Sequence, residues 1–136
     1  LIVLVDTSVW ADFFNGDPSP EADTLGSLLE DRMPIATCGL ILAEFFQGLR
    51  RPETIQTLKD EFLDLELLRP REPETYIAAA DLFRDLRSRG VTIRSTIDCL
   101  IVRLAEENGA RILAKDRDMR LILESGLCQA RPYPLD

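Results

Sequence analysis

The chain has 136 residues, 46% apolar and 29% charged, a balance expected of a soluble globular protein with one domain over residues 1–136. It has no histidine, which excludes Ser-His-Asp and Cys-His catalysis, histidine-ligated zinc and a histidine general base. Its net charge of −8 disfavours a nucleic-acid partner on its face, although acids filled by a divalent cation become locally neutral or positive.

The first stretch, Leu1-Ile2-Val3-Leu4-Val5, is an unbroken apolar run that ends at Asp6. Such a run suits a strand buried on both faces of a parallel sheet. Thr7 and Ser8 can cap a helix that begins at once, so Asp6 is expected at the carboxyl end of a central strand. Val9 to Phe14 reads as a short helix stopped by Asn15-Gly16-Asp17-Pro18. Pro20 to Arg32 reads as a second helix, and Pro34 to Thr37 as a second strand.

Gly39 to about Arg50 reads as a third helix, apolar almost all round and therefore largely buried, with Glu44 in its middle. Pro52 opens a fourth helix through Phe62, and Leu63 to Leu68 reads as a third strand near an edge. Pro73 opens a fifth helix that stops at Gly90. Ser95 or Thr96 starts a sixth, which stops at Gly109. Arg111 to Ala114 is a fourth strand, followed by Lys115-Asp116-Arg117-Asp118, a short helix from Met119 to Glu124, and a last strand near Leu127 to Ala130. Strands and helices that alternate in this way give an α/β fold, a three-layer α/β/α sandwich around a parallel, roughly five-stranded sheet.

Cys38, Cys99 and Cys128 show no CxxC spacing, which argues against a zinc site or a disulfide framework and suits a reducing cytoplasm. No apolar run is long enough to span a bilayer, and no basic segment leads into a cleavage site.

Asp6 after strand one, Glu44 in helix three, Asp98 in the first turn of helix six and Asp116 after strand four stand out by position, with Asp118 as a fifth candidate. If strands one and four are neighbours, Asp6, Asp98 and Asp116 converge on one sheet edge. Carboxylates so packed resist ionising together, and a hard divalent cation is the usual remedy. One or two such ions can activate a water for in-line phosphoryl displacement. Each acid also has a structural alternative. Asp6 could start a turn, Asp98 could close a capping box with Ser95, and Asp116 could cap the last helix. Glu44 could be a buried partner of Arg94 or Arg103, and Asp118 could be solvated surface.

In this context the chain resembles the PIN-domain proteins, and specifically the VapC toxins of bacterial toxin–antitoxin pairs. The resemblance rests on Ile2-Val3-Leu4-Val5-Asp6-Thr7-Ser8-Val9-Trp10, on Ala43-Glu44, on Ile97-Asp98-Cys99-Leu100-Ile101, and on Ala114-Lys115-Asp116-Arg117-Asp118-Met119. It implies a Mg²⁺- or Mn²⁺-dependent endoribonuclease with Asp6, Glu44, Asp98 and Asp116 in its acidic pocket. Asp118 matches an acid that some members add, and Thr7 or Ser8 matches a hydroxyl that steadies the first aspartate. Met119 departs from the Phe that many members carry, a packing difference. Arg94, just before helix six, is a candidate for RNA phosphate or for a surface ion pair. The resemblance further implies a VapB-type antitoxin, an RNA substrate of the tRNA or rRNA class, and a second copy of the chain as partners. Helices two to four could supply a groove for an antitoxin helix.

Three rival readings differ in what they require. A haloacid-dehalogenase-like phosphatase needs a second Asp two residues after the first, where Ser8 stands. A receiver-like module needs a phosphoacceptor after strand three, where Leu67-Leu68-Arg69-Pro70 offers none. An inactive PIN-like binding module would have lost acids that this chain keeps.

Overall fold

In the computed structural model, which describes residues 1–135, the opening apolar run becomes strand β1 (Val3–Val5), with all three side chains fully buried. Burying each side chain is worth roughly 1.5–3 kcal/mol, so this strand anchors the sheet. The chain continues through α1 (Thr7–Asn15), α2 (Pro20–Glu30), β2 (Ile35–Cys38), α3 (Gly39–Gln47), α4 (Pro52–Phe62), β3 (Glu66–Leu68), α5 (Glu74–Ser88), α6 (Ile97–Glu107), β4 (Arg111–Leu113) and α7 (Arg117–Glu124). The helix ends follow local chemistry. Gly16 ends α1 at φ 73°, a left-handed conformation that glycine adopts without a Cβ clash, and its N–H bonds the Asp12 carbonyl. Ser19 caps α2 by accepting from the Ala22 N–H at 3.0 Å, with Pro20 at the first helical position.

The sheet order is β3-β2-β1-β4, and all pairs are parallel. From β1 to β2 to β3 the chain steps in one direction; from β3 to β4 it crosses back to the other side of β1. Right-handed crossovers that run in opposite directions place their helices on opposite faces. Accordingly α1 packs on α2 and α3, while α5 packs on α6 and α6 on α7. The three-layer α/β/α expectation is borne out. The reversal between β1 and β4 makes the carboxyl edge of these two strands the topological switch point, where open α/β sheets bind ligands.

The sheet has four strands among the described residues, against the roughly five expected. The segment expected as a last strand, Leu127 to Ala130, is not one. The chain meets β4 just beyond it, at a single bridge between Ile112 and Pro132. The Ile112 N–H donates to the Arg131 carbonyl at 3.0 Å and the Tyr133 N–H to the Ile112 carbonyl at 2.8 Å. Pro132 and Pro134 fall at positions whose N–H would face away from β4, so they allow this single bridge at the sheet edge while offering nothing to a further strand.

Helix α3 also differs from expectation. Only Ile41 and Phe45 are buried, and Glu44 is exposed. Phe45 reaches inward to stack on Phe62 of α4 with ring centroids 5.3 Å apart, and Trp10 of α1 meets Phe62 at 4.7 Å. A step of one residue turns a helix by about 100°. Glu44 is thereby rotated out of this aromatic cluster. Leu42, Ala43 and Phe46 do not enter the sheet core either; they line a groove shared with α4.

Candidate metal centre

Asp6 follows β1 directly and takes the N-cap position of α1, where Thr7 and Ser8 had been expected to cap; they form the first turn instead. Its carboxyl makes no cap bond and turns into a cleft of about 360 Å³. Glu44 of α3, Asp98 in the first turn of α6, and Asp116 and Asp118 at the start of α7 line the same cleft, with Thr7, Ser8, Arg94, Ser95 and Ile97. The acids that stand after strands one and four are brought together because β1 and β4 are neighbours.

The structure decides these alternatives residue by residue. Asp98 makes no capping box: Ser95 Oγ accepts from the Ile97 N–H at 3.1 Å, and the Asp98 carboxyl is left for the cleft. Glu44 is not a buried partner of Arg94 or Arg103; its Oε1 accepts from the Thr7 hydroxyl at 3.4 Å. Asp116 does cap α7, accepting from the Met119 N–H at 3.3 Å through Oδ2, and its other oxygen takes the Arg94 guanidinium at 3.2 Å. Asp118 is not solvated surface. Its side chain is 3% exposed, and its Oδ2 accepts from the Arg94 backbone N–H at 2.9 Å and from Arg94 Nε at 3.1 Å. The Ser8 hydroxyl is buried without a hydrogen-bond partner.

The electrostatics follow from this crowding. Burial pushes the Asp6 carboxyl up to about 6; the charges of Glu44 and Asp116 push the same way, against a bond from the Thr7 N–H. Asp98 is pushed up to about 7, first by burial and then by the charges of Asp6 and Asp116. Asp118 moves the other way, held below the usual carboxylate range by the Arg94 N–H and guanidinium. No Lys or Arg bridges Asp6 or Asp98 among the described residues. These carboxylates therefore lack the positive charge that would let them ionise together.

A divalent cation fits this donor set. One oxygen from each of Asp98, Asp116 and Asp118 lies within 4.8 Å of the others, and Asp6 and Glu44 face the same space. All are hard oxygen donors, suited to Mg²⁺ or Mn²⁺ rather than to a soft thiophilic ion. The nearby Cys38 thiol is buried at the N-terminus of α3, and burial raises its proton affinity.

Comparison with known proteins identifies the family. The PIN domain family model matches residues 3–122. The chain belongs to the PIN-domain family. Within it, the chain is 35% identical over 133 residues to the VapC ribonuclease Mb1587 of Mycobacterium bovis, a match that covers 97% of this chain and 99% of that protein. The Mycobacterium tuberculosis ribonuclease VapC11 matches at the same identity and extent. The PIN fold is seen again in VapBC2 from Rickettsia felis, solved bound to a DNA fragment from its promoter, with a TM-score of 0.71, 21% identity and full coverage of both chains. Among the described residues of this PIN chain, no helix is long and apolar enough to cross a membrane.

Proposed function

We propose that the chain is the toxin of a toxin–antitoxin pair and a metal-dependent endoribonuclease that hydrolyses RNA phosphodiester bonds. The observation that carries this reading is the convergence of Asp6, Glu44, Asp98 and Asp116 on one cleft at the switch point of the sheet. The 35% identity to proteins named VapC ribonucleases supports the choice of RNA as substrate.

Asp6, Asp98 and Asp116 would hold the cation, Mg²⁺ or Mn²⁺, and Glu44 would complete the set. When bound, the cation neutralises the phosphate charge and makes a nearby water acidic enough to serve as nucleophile. Glu44, exposed and steadied by the Thr7 hydroxyl, is placed to orient that water and accept its proton at a carboxylate oxygen. The water oxygen bonds to phosphorus as the bond to the 3′-oxygen breaks, and a proton ends on that oxygen. The products are a 5′-phosphate and a 3′-hydroxyl. Ser8, which lines the same cleft, has a buried hydroxyl with no partner and so keeps a donor for an incoming oxygen.

The partner is a cognate VapB-type antitoxin, which inhibits the enzyme; a second copy of the chain completes the assembly. The groove between α3 and α4, about 500 Å³, is lined by Leu42, Phe46, Ile55, Phe62 and Leu63. It suits the apolar face of an amphipathic helix, and Lys59 in its lining favours an acidic residue on that helix. The likeness to VapBC2 supports a VapB-type partner.

The test is to incubate the purified chain with cellular RNA in Mn²⁺ or in chelator and to sequence the resulting ends. Metal-dependent cuts that leave 5′-phosphates are expected. RNA left intact with Mn²⁺ present overturns the ribonuclease reading.

A further inference from the structure

An acidic cleft on a chain of net charge −8 must still admit a polyanion. Arg94 is the one basic residue that lines it among the described residues. The loop before α6 presents Arg94 with its side chain 79% exposed, yet its guanidinium is not free to wander. Its backbone N–H and its Nε both donate to the same oxygen, Asp118 Oδ2, 24 residues along the chain. Nη2 donates to Asp116 Oδ1.

A hydrogen-bond account of Asp118 shows what this costs the metal site. Oδ2 is already taken by two donors from Arg94. Oδ1 is buried with no hydrogen-bond partner; its nearest cation is Arg117 Nη1 at 3.5 Å, a group outside the cleft lining. Oδ2 is thus committed, and the Asp118 carboxylate as a whole already faces two guanidinium charges, Arg94 and Arg117, although proximity groups it with Asp98 and Asp116. An arginine carries five N–H donors. With Nε on Asp118 and one Nη2 hydrogen on Asp116, three remain, on an edge open to solvent.

We propose that Arg94 binds RNA phosphate at the mouth of the cleft, and that Asp118 is its positioning residue rather than a metal ligand. This rests on the ribonuclease reading and deepens it. Asp116 Oδ1 is the exchange point: a cation that takes this oxygen releases Nη2, while Nε and the backbone N–H keep the guanidinium in place. The open edge of three N–H groups offers the planar fork that matches a phosphate with or without the cation. In the absence of cation, Arg94 partly neutralises the acids it will later face across the substrate.

Two independent measurements test this. Isothermal titration with Mn²⁺ alone reads metal affinity without turnover. Asp118→Asn is expected to keep affinity within about twofold, Asp116→Asn to lose at least tenfold, and Arg94→Ala to gain about threefold because a competitor leaves Asp116. Anisotropy with a mixed-sequence RNA oligonucleotide, in chelator and across a salt series, reads phosphate contact. Arg94→Ala is expected to weaken binding about tenfold and to lower the salt slope by about 0.7, one contact on a single strand. Arg94→Lys keeps the charge but lacks the fork, and is expected to recover less than half of that loss in free energy. A tenfold loss of Mn²⁺ affinity in Asp118→Asn, or RNA binding by Arg94→Ala equal to the parent, overturns the proposal. Arg94 holds the buried Asp118 carboxylate, so melting curves check the Arg94 variants as well as Asp118→Asn. Neither measurement depends on cleavage. A parent protein that binds Mn²⁺ and RNA but cuts nothing would sink the enzyme reading and leave these assignments standing.

Discussion

Val5 and Leu113 are register partners at the ends of β1 and β4, and the Asp6 N–H donates to the Leu113 carbonyl at 2.9 Å. This bond sets the distance between the first acid of the chain and the acids that follow β4. Lys115 Nζ on Asp12 Oδ2 at 2.6 Å fastens the same loop to α1. The cleft is thus built on backbone pairing and is formed before any ligand arrives, as precise positioning of catalytic groups requires.

Asp98 has no cap bond and no basic partner, so its carboxylate is maintained at a cost to the fold. Asp98→Asn is expected to lower RNA cleavage at least 100-fold while circular dichroism is unchanged. Removing one of several crowded like charges is also expected to raise the melting temperature in chelator by a few degrees. Undiminished cleavage by the variant removes Asp98 from the mechanism.

Glu44 lies on the exposed side of α3 and, among the described residues, accepts a hydrogen bond from the Thr7 hydroxyl. Glu44→Gln keeps its shape and removes its charge. Its Mn²⁺ affinity is expected to fall by roughly three- to tenfold in titration, with a melting temperature within about a degree of the parent, since surface changes away from packing cost little. Unchanged affinity excludes Glu44 from the metal set and leaves it only the handling of water.

Asp6, Asp98 and Asp116 were legible from position alone, because the end of a buried apolar run and the start of the next helix are marked in the sequence. Glu44 was legible as a pocket residue but not in its environment. The apolar pattern of α3 suggests burial all round, whereas half of that pattern lines the open groove with α4. Asp118 was read as possible surface because Lys115-Asp116-Arg117-Asp118 looks like a solvated charged turn. What covers it is the Arg94 loop, a contact across 24 residues that no local pattern marks. The fifth strand was expected a few residues too early: the chain meets β4 only at Pro132, as a single bridge.

Leu63 ends α4 at the groove and is 80% exposed, an unusual outlay of apolar surface for a residue with no role in the core. Leu63→Asp is expected to weaken binding of the cognate antitoxin at least tenfold by surface plasmon resonance, and to leave cleavage by the free protein unchanged. Its exposure means that the fold does not depend on it. Antitoxin binding that tolerates this change would move the docking site away from α3 and α4.

The raised carboxyls set how stability and metal binding respond to pH. Asp6 titrates at about 6 in the folded chain, above its value in the unfolded chain. Between those two values the folded state holds the proton and the unfolded state does not, so stability is greatest below about pH 4 for this group and falls as pH rises through 6. Asp98, at about 7, acts in the same direction over a wider window. Asp12 and Asp118, both held low, are ionised in both states above about pH 4.5 and add no slope there. In chelator, the loss from pH 5 to pH 8 is expected to be roughly 1.4 kcal/mol from Asp6, read as a falling melting temperature. A saturating level of Mn²⁺ requires the ionised carboxylates and is favoured by the same rise in pH, so its stabilisation should grow from pH 5 to pH 8 and flatten or reverse that slope. A metal-free protein more stable at pH 8 than at pH 5 would show that the cleft carboxylates ionise without strain, and with it the physical case for a cation there would lapse.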